Sequence, residues 1–189
     1  MFNFCPKCAS KKIVFEDGKC FKCSDCDFLY FHNNAAANGC LIIVPEADGK
    51  DSSESERLVL LVRGREPGKG KLDLPGGFVD AGEGIYEGLY RELKEELNWT
   101  PPIPEGKNLS DVFKLFASFS NVYEYKGIKY NTCDMFFYVY APGLKTEDLK
   151  LEEDEVSGVK FLRPEEIDFN DIAFNSIAKA IKTYLKMPL

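Results

Sequence analysis

Apolar residues from Cys40 onward fall into short runs broken by polar or glycine-bearing stretches. Cys40 to Val44 and Arg57 to Arg63 predict strands, and the acidic segment Asp48 to Glu56 between them predicts a solvated loop. Phe113 to Phe119 alternates apolar and polar residues, as a half-buried strand does. Met135 to Tyr140 is almost continuously apolar, which suits a strand covered on both faces. Tyr123 to Tyr130 predicts a hairpin that turns at Lys126-Gly127, and Gly158 to Leu162 a further short strand. Beyond Pro164, Ile172, Ile177, Ile181 and Leu185 recur at helical spacing and predict a closing amphipathic helix. Residues 1–34 carry short turns, cysteines and lysines, too few apolar positions for a core of their own. The pattern therefore divides the chain into a small module, 1–34, and an α/β domain, 35–189.

One further helix predicted by periodicity carries the chemistry. Tyr86, Leu89, Tyr90, Leu93 and Leu97 form an apolar stripe, while Glu92, Glu95 and Glu96 stand at i, i+3 and i+4 and project from one side. Three carboxylates so close repel one another, and a divalent cation reverses the sign. Clustered hard oxygen ligands suit Mg²⁺ or Mn²⁺. Arg91 can pair with a carboxylate and orient it. Gly76 and Gly77 permit a close backbone approach, and Gly88 leaves the carboxylate side uncrowded.

Five of the seven cysteines lie within the first 26 residues. Clustered C-x-x-C pairs in a chain without a secretory signal point to metal rather than disulfides. Cys5 and Cys8 form one pair, and the second is Cys20 with Cys23 or Cys23 with Cys26. The more turn-prone spacer Ser24-Asp25, followed by Asp27, favours Cys5, Cys8, Cys23 and Cys26 as a tetrahedral Zn²⁺ site. His32, the single histidine, is expected at the surface.

Composition narrows the function classes. With 44% hydrophobic and 29% charged residues, the chain has the balance of a soluble globular protein. Net charge −7 opposes a broad nucleic-acid surface, which needs cations to neutralise phosphates. No apolar run reaches the roughly 18 to 20 residues of a membrane span, and Met1-Phe2-Asn3-Phe4 does not begin a signal peptide. The expectation is a cytoplasmic protein without a membrane partner, in which the cysteine module has a structural or subunit-contact role, a homodimer being one outcome.

The run Gly77 to Trp99 resembles the Nudix box, G-x5-E-x7-R-E-U-x-E-E-x-G-U, at every defined position but one: Asn98 replaces the usual glycine. Asn is the next best residue at a left-handed helix C-cap. The likeness extends over about 35–189 and includes Leu74-Pro75-Gly76-Gly77-Phe78. It implies an α/β/α sandwich around a mixed sheet and Mg²⁺-dependent cleavage of a nucleoside diphosphate linked to another group. By motif position it makes Glu92, Glu95 and Glu96 metal ligands, with the Gly76 carbonyl added and Arg91 and Glu83 orienting them.

A zinc ribbon ahead of the box is similar to NADH pyrophosphatase architecture, but Ser118 to Tyr125 stands where those enzymes carry Ser-Gln-Pro-Trp-Pro-Phe-Pro. The substrate class is thus of the NADH, ADP-ribose or nucleotide-sugar type. Tyr123, Tyr125 and Tyr130 either stack on a base or pack across a hairpin. Glu95, Glu96 or Glu155 could take the proton from the attacking water; Glu155 resembles the catalytic or metal-binding glutamate that precedes the late strand in several Nudix subfamilies, or else the run Glu152 to Glu155 is a solvated loop. The rival readings are a nucleoside triphosphate pyrophosphohydrolase, or a non-catalytic nucleotide sensor whose ribbon contacts DNA or a partner.

Overall fold

The computed structural model describes residues 2–46 and 56–187. Residue contacts divide the chain into two compact units, Met1–Asn34 and Ala35–Leu189. Among the described residues no helix is long and apolar enough to cross a membrane.

The first unit is more regular than its sequence pattern predicts. It is a three-stranded antiparallel sheet of β1 (Ile13–Glu16), β2 (Cys20–Cys23) and β3 (Leu29–Phe31), with Phe21 buried between the rings of Phe2 and Phe15. The His32 ring is exposed and stands edge-on to Phe15 and Phe21. The ligand atoms of Cys5, Cys8, Cys23 and Cys26 all lie within 4.8 Å of one another. The Cys5–Cys26 and Cys8–Cys23 sulfurs are 3.6 and 3.7 Å apart. Four sulfurs at zinc-ligand distance on a tetrahedron stand about 3.8 Å apart, so this cluster could hold the ion.

Cys20 stands outside the cluster because Cys20 to Cys23 is a strand. Residues three apart in a strand point to opposite faces, so that pair cannot chelate as a turn does. After the first C-x-x-C pair Ala9 is left-handed (φ 59°), whereas Asp27, which follows the second, is not at positive φ.

In the second unit a six-stranded mixed sheet has the order β6 (Leu72–Asp73), β5 (Glu56–Arg63), β4 (Ala35–Pro45), β8 (Ile128–Tyr140), β7 (Lys114–Tyr125), and β9 (Val156–Leu162) joins the other edge of β5. β4 and β8 run parallel, and the other pairings are antiparallel. Strand alternation sends Cys40, Ile42 and Phe137 to one face and Leu41, Ile43 and Phe136 to the other, and each face has its own core. The first is covered by α1 (Ile85–Leu97) with a single helical turn, α2 (Leu109–Val112), and the second by α3 (Asn175–Tyr184). This is an α/β/α sandwich. Leu89, Leu93 and Leu97 are fully buried, each worth about 1.5 to 3 kcal/mol of apolar transfer. Asn98 closes α1 in the left-handed conformation (φ 48°, ψ 31°), its N–H bonded to the Lys94 carbonyl.

β5 gives one edge first to β4 and then, through Leu61 and Val62, to β6. The chain after β6 is thereby wedged against the edge that β4 has left open. The Cys40 N–H donates to the Pro75 carbonyl, the Asn38 N–H to that of Gly77, and the Val79 N–H to that of Ala36. Gly76 (φ 141°) passes so close that a Cβ there would lie 2.4 Å from the Asn38 carbonyl oxygen.

Several expected boundaries shift. Of the acidic loop, Asp48 and the residues to 55 lie outside the described residues, whereas Glu56 starts β5 and is buried. Phe113 precedes β7 as the fully buried cap of α2. The hairpin does turn at Lys126-Gly127, both at positive φ. Ile172 is not helical: it bridges Leu72 in parallel before α3 begins, and Leu185 caps the helix at the surface. At Ile172 the apolar spacing runs past the helix because the flanking coil packs against the same core.

The ribbon geometry sets its own test. Purified protein is expected to contain one zinc per chain by elemental analysis, retained in Cys20→Ser and lost in Cys26→Ser. The opposite pattern would show that the strand argument assigns the wrong cysteine.

Candidate active site

The wedge Leu72 to Val79, the carboxylate side of α1 and the loop before β9 enclose a cleft of about 550 Å³. Its lining includes Gly76, Gly77, Arg91, Glu92, Glu95, Glu96, Glu152 and Glu155 on one side. Arg91 organises that side. Its Nε donates to Glu83 Oε1 at 2.7 Å and one Nη to Glu83 Oε2 at 3.0 Å, a two-pronged pairing that a lysine cannot make. The same Nη reaches the Phe78 carbonyl at 3.1 Å, and the other bonds Glu92 at 2.9 Å and Glu95 at 3.0 Å. Four residues of the site are thus tied to one guanidinium. The pairing draws the Glu83 carboxyl below the usual range, helped by the Asp80 N–H.

Glu96 faces inward and accepts from the Gly76 N–H at 2.8 Å. Burial pushes its carboxyl well above the ordinary glutamate range, against that hydrogen bond and with repulsion from Glu92, Asp73 and Glu155 adding to the shift. Glu92 moves the same way, mainly by burial, although Arg91 opposes it. Glu155, in the loop before β9, lines the same side and pairs with Arg65 at 2.5 Å, while its own carbonyl accepts the Gly64 N–H. Glu95 is the most exposed of the helix carboxylates bound to Arg91.

Among the described residues, the four thiols are the one group of three or more potential ligands with atoms within 4.8 Å of one another. The carboxylates share the cleft without converging as closely, since Arg91 holds Glu92 and Glu95 and Gly76 holds Glu96. As a donor set they fit a hard divalent cation: anionic oxygens gathered where burial and mutual repulsion oppose their charge.

Of the three tyrosines, Tyr123 lines the cleft. Tyr130 is its cross-strand partner and meets Phe78 edge-on, and Tyr125 stacks on Tyr123 with Lys126 over its ring. Neither Tyr125 nor Tyr130 is part of the lining.

Several lining residues lay outside the expectations from sequence. Asn38 accepts the Gly77 N–H through Oδ1, at 3.3 Å, and so fastens the glycine turn from β4. Arg63 pairs with the buried Asp73, donates to the Pro67 carbonyl at 2.6 Å and lies over the Phe174 ring. Thr132 and Asp134 face the cleft from β8. The available signal was polar residues interrupting apolar strands, which alone does not distinguish a site from an exposed face.

Comparison with known proteins matches residues 41–184 to the family model described as NUDIX domain. An ADP-ribose pyrophosphatase of Methanocaldococcus jannaschii is 39% identical over 85 residues, 45% of this chain and 42% of that protein. The match thus spans less than half the curated relative. A NUDIX hydrolase from Nitrosomonas europaea superposes with TM-score 0.63 at 24% identity, covering 98% of this chain and 91% of the other. A C. elegans Ap4A hydrolase gives 0.56 at 20% identity, covering 80% of this chain and 95% of its own. At these identities the solved structures speak to the fold alone.

The Arg91 hub yields a stability test. Arg91→Lys keeps the charge and loses the fork, so the thermal midpoint is expected to fall by about 2 to 6 °C, equivalent to about 1 to 2 kcal/mol. Arg91→Met should fall further at neutral pH. A carboxyl held low in the folded state adds stability above its unfolded pKa, and that stability is lost as pH falls through the lowered value. The gap between wild type and Arg91→Met should therefore be wide at about pH 7 and narrow near pH 3.5 in calorimetric scans. A gap independent of pH would show that Arg91 acts through packing rather than through Glu83.

Proposed function

Because the chain belongs to the NUDIX domain family, we propose that it is a Mg²⁺-dependent pyrophosphohydrolase, cleaving the phosphoanhydride of a nucleoside diphosphate linked to a second group. ADP-ribose is the first substrate to try, followed by NADH and nucleotide sugars. The observation that carries this reading is the carboxylate side of the cleft, where Glu92, Glu95 and Glu96 of one helix meet Glu155 and the Gly76-Gly77 turn. The relative described as an ADP-ribose pyrophosphatase supports the choice of substrate.

Glu92, Glu95 and Glu96, with the Gly76 carbonyl and Glu155, would hold Mg²⁺ or Mn²⁺. When bound, the metal neutralises diphosphate oxygens and lowers the pKa of a coordinated water. The chain's own groups supply the rest. Arg91 and Glu83 fix the helix carboxylates in position, so little reorganisation is left for the moment of reaction. Glu95, Glu96 or Glu155 accepts the proton from water as its oxygen attacks one phosphorus, and the bridging P–O bond breaks with its oxygen leaving on the other phosphate. The ribbon is read as a Zn²⁺-stapled structural or subunit-contact module, a homodimer included, and the protein as cytoplasmic.

The glutamates divide the mechanism into measurable parts. Glu95→Gln and Glu96→Gln are each expected to lower kcat by about 10² to 10⁴, roughly 3 to 5 kcal/mol of barrier. The thermal midpoint of Glu96→Gln should hold or rise, because the amide removes a charge that burial opposes. A fall of about 100-fold in Glu155→Gln marks direct participation, whereas a near-normal rate leaves Glu155 to its pairing with Arg65. Turnover of nucleoside triphosphates at a kcat/KM about tenfold above every diphosphate-linked compound would overturn the substrate class.

A further inference from the structure

Across the cleft from the carboxylates, on the α3 side of the sheet, the lining has a different character. β8 places Thr132, Asp134 and Phe136 on one face by strand alternation, and Phe136 belongs to the core that α3 covers. Asn121 lies opposite Thr132 on β7, and Tyr123, Phe174 and Ile177 complete this half. Three rings form a continuous wall: Phe78 is 5.5 Å from Tyr123, and Tyr123 is 5.8 Å from Phe174.

The polar groups here lack partners. Thr132 is 2% exposed, and its hydroxyl has no hydrogen bond among the described residues. Asp134 is 8% exposed, and no cation or N–H among the described residues is bonded to its carboxylate. The Arg63 guanidinium in the lining is committed elsewhere, to Asp73, the Pro67 carbonyl and the Phe174 ring. A buried hydroxyl left unbonded is costly, and the usual reason for keeping it is a ligand.

We propose that this half of the cleft seats the nucleobase, and that Asp134 with Thr132 selects a ring carrying an exocyclic amino group beside a ring nitrogen, adenine, over the lactam of hypoxanthine. The inference rests on the diphosphate-hydrolase reading and names the base that the site takes.

The charges decide which end of the substrate lies here. Asp134 is close enough to Asp73 to add to the rise in proton affinity that burial gives Asp73. The Asp134 carboxylate repels a diphosphate, and the opposite side, with Arg65, Arg91 and the carboxylates that would hold Mg²⁺, is where the phosphates belong, which leaves the uncharged ring here. A planar ring can stack on the aromatic wall. A carboxylate only accepts, so it bonds the adenine amino group and repels the carbonyl oxygen that hypoxanthine puts in the same place. The Thr132 hydroxyl can donate to the adjacent ring nitrogen, and the Asn121 amide can do either.

The test compares AMP and IMP, which differ only along this edge of the base, in the exocyclic group and the adjacent ring nitrogen, by calorimetric titration of the full chain without added Mg²⁺. Wild type is expected to bind AMP at least about tenfold more tightly than IMP. Asp134→Asn should bring the ratio to about one or below, because the amide can donate to the lactam oxygen. Thr132→Val, close to isosteric, should weaken AMP about three- to tenfold and keeps the proposal testable if Asp134→Asn folds poorly. The kcat/KM ratio of ADP-ribose to its hypoxanthine analogue should follow the same pattern. A residue kept only for structure would lower both substrates together and leave the ratio alone. Equal affinity for AMP and IMP in wild type, or a ratio unmoved in both variants, overturns the base assignment even where hydrolysis is intact. If AMP is preferred as stated but no diphosphate-linked compound is hydrolysed with Mg²⁺, the base site stands and the catalytic reading falls.

Discussion

The close passage of Gly76 along β4 is the constraint on which the second unit depends. The chain between β6 and α1 leaves β5, lies against the open edge of β4 and is bonded to it through Ala36, Asn38 and Cys40. A side chain at Gly76 would collide with the Asn38 carbonyl, and one at Gly77 would lie 2.5 Å from a Glu92 oxygen. Both gaps are small because the backbone itself is the functional surface. It brings the Gly76 N–H to Glu96 and the Phe78 carbonyl to Arg91, so the sheet, the turn and the helix are held in one register. Gly88 belongs to the same arrangement. A Cβ there would stand 3.0 Å from Glu83, the carboxylate that takes the Arg91 fork.

Around this frame the cleft concentrates interactions that cost stability. Glu92 and Glu96 are partly or deeply buried, and their proton affinities rise for that reason. Asp73 rises as well, despite its pairing with Arg63. Such groups persist where surrounding structure over-determines them. Here that structure comprises three fully buried leucines on α1, a two-sided core and a guanidinium with five hydrogen bonds to its neighbours. The two halves of the cleft then differ in kind, one lined by carboxylates spaced along a helix and the other by rings and two unbonded polar side chains on a strand.

What could be read from the sequence follows from how local each signal is. The α1 carboxylates, its leucine stripe, the Asn98 cap and the Lys126-Gly127 turn all depend on residues within a few positions of one another, and the structure forms each of them. Arg91 was legible as a partner for a carboxylate, but not as a hub, because Phe78 and Glu83 reach it only once the wedge is laid down. Asn38, Arg63, Thr132 and Asp134 were not legible at all. They come together from three strands distant in sequence, and a lone polar residue in an apolar strand looks the same whether it faces a cleft or solvent. Ile172 shows the converse error, in which correct spacing was continued by coil rather than helix.

The ribbon follows the same logic with a different ligand. Four thiols within 4.8 Å cannot all ionise unaided: backbone N–H groups of Cys8 and Lys7 draw Cys5 down to about 7 against the cost of burial. Cys26 is pushed up to about 12, burial and the other thiols outweighing the Phe28 N–H. A cation removes that conflict by converting mutual repulsion into shared attraction. Thiolates select a soft borderline ion, and the carboxylates of the cleft select a hard one. A chain with net charge −7 can take up an anionic diphosphate only where positive charge stands between them. In the reaction proposed, the repulsion built into α1 is therefore what reserves the cleft for a metal-bound substrate and discourages the bare anion.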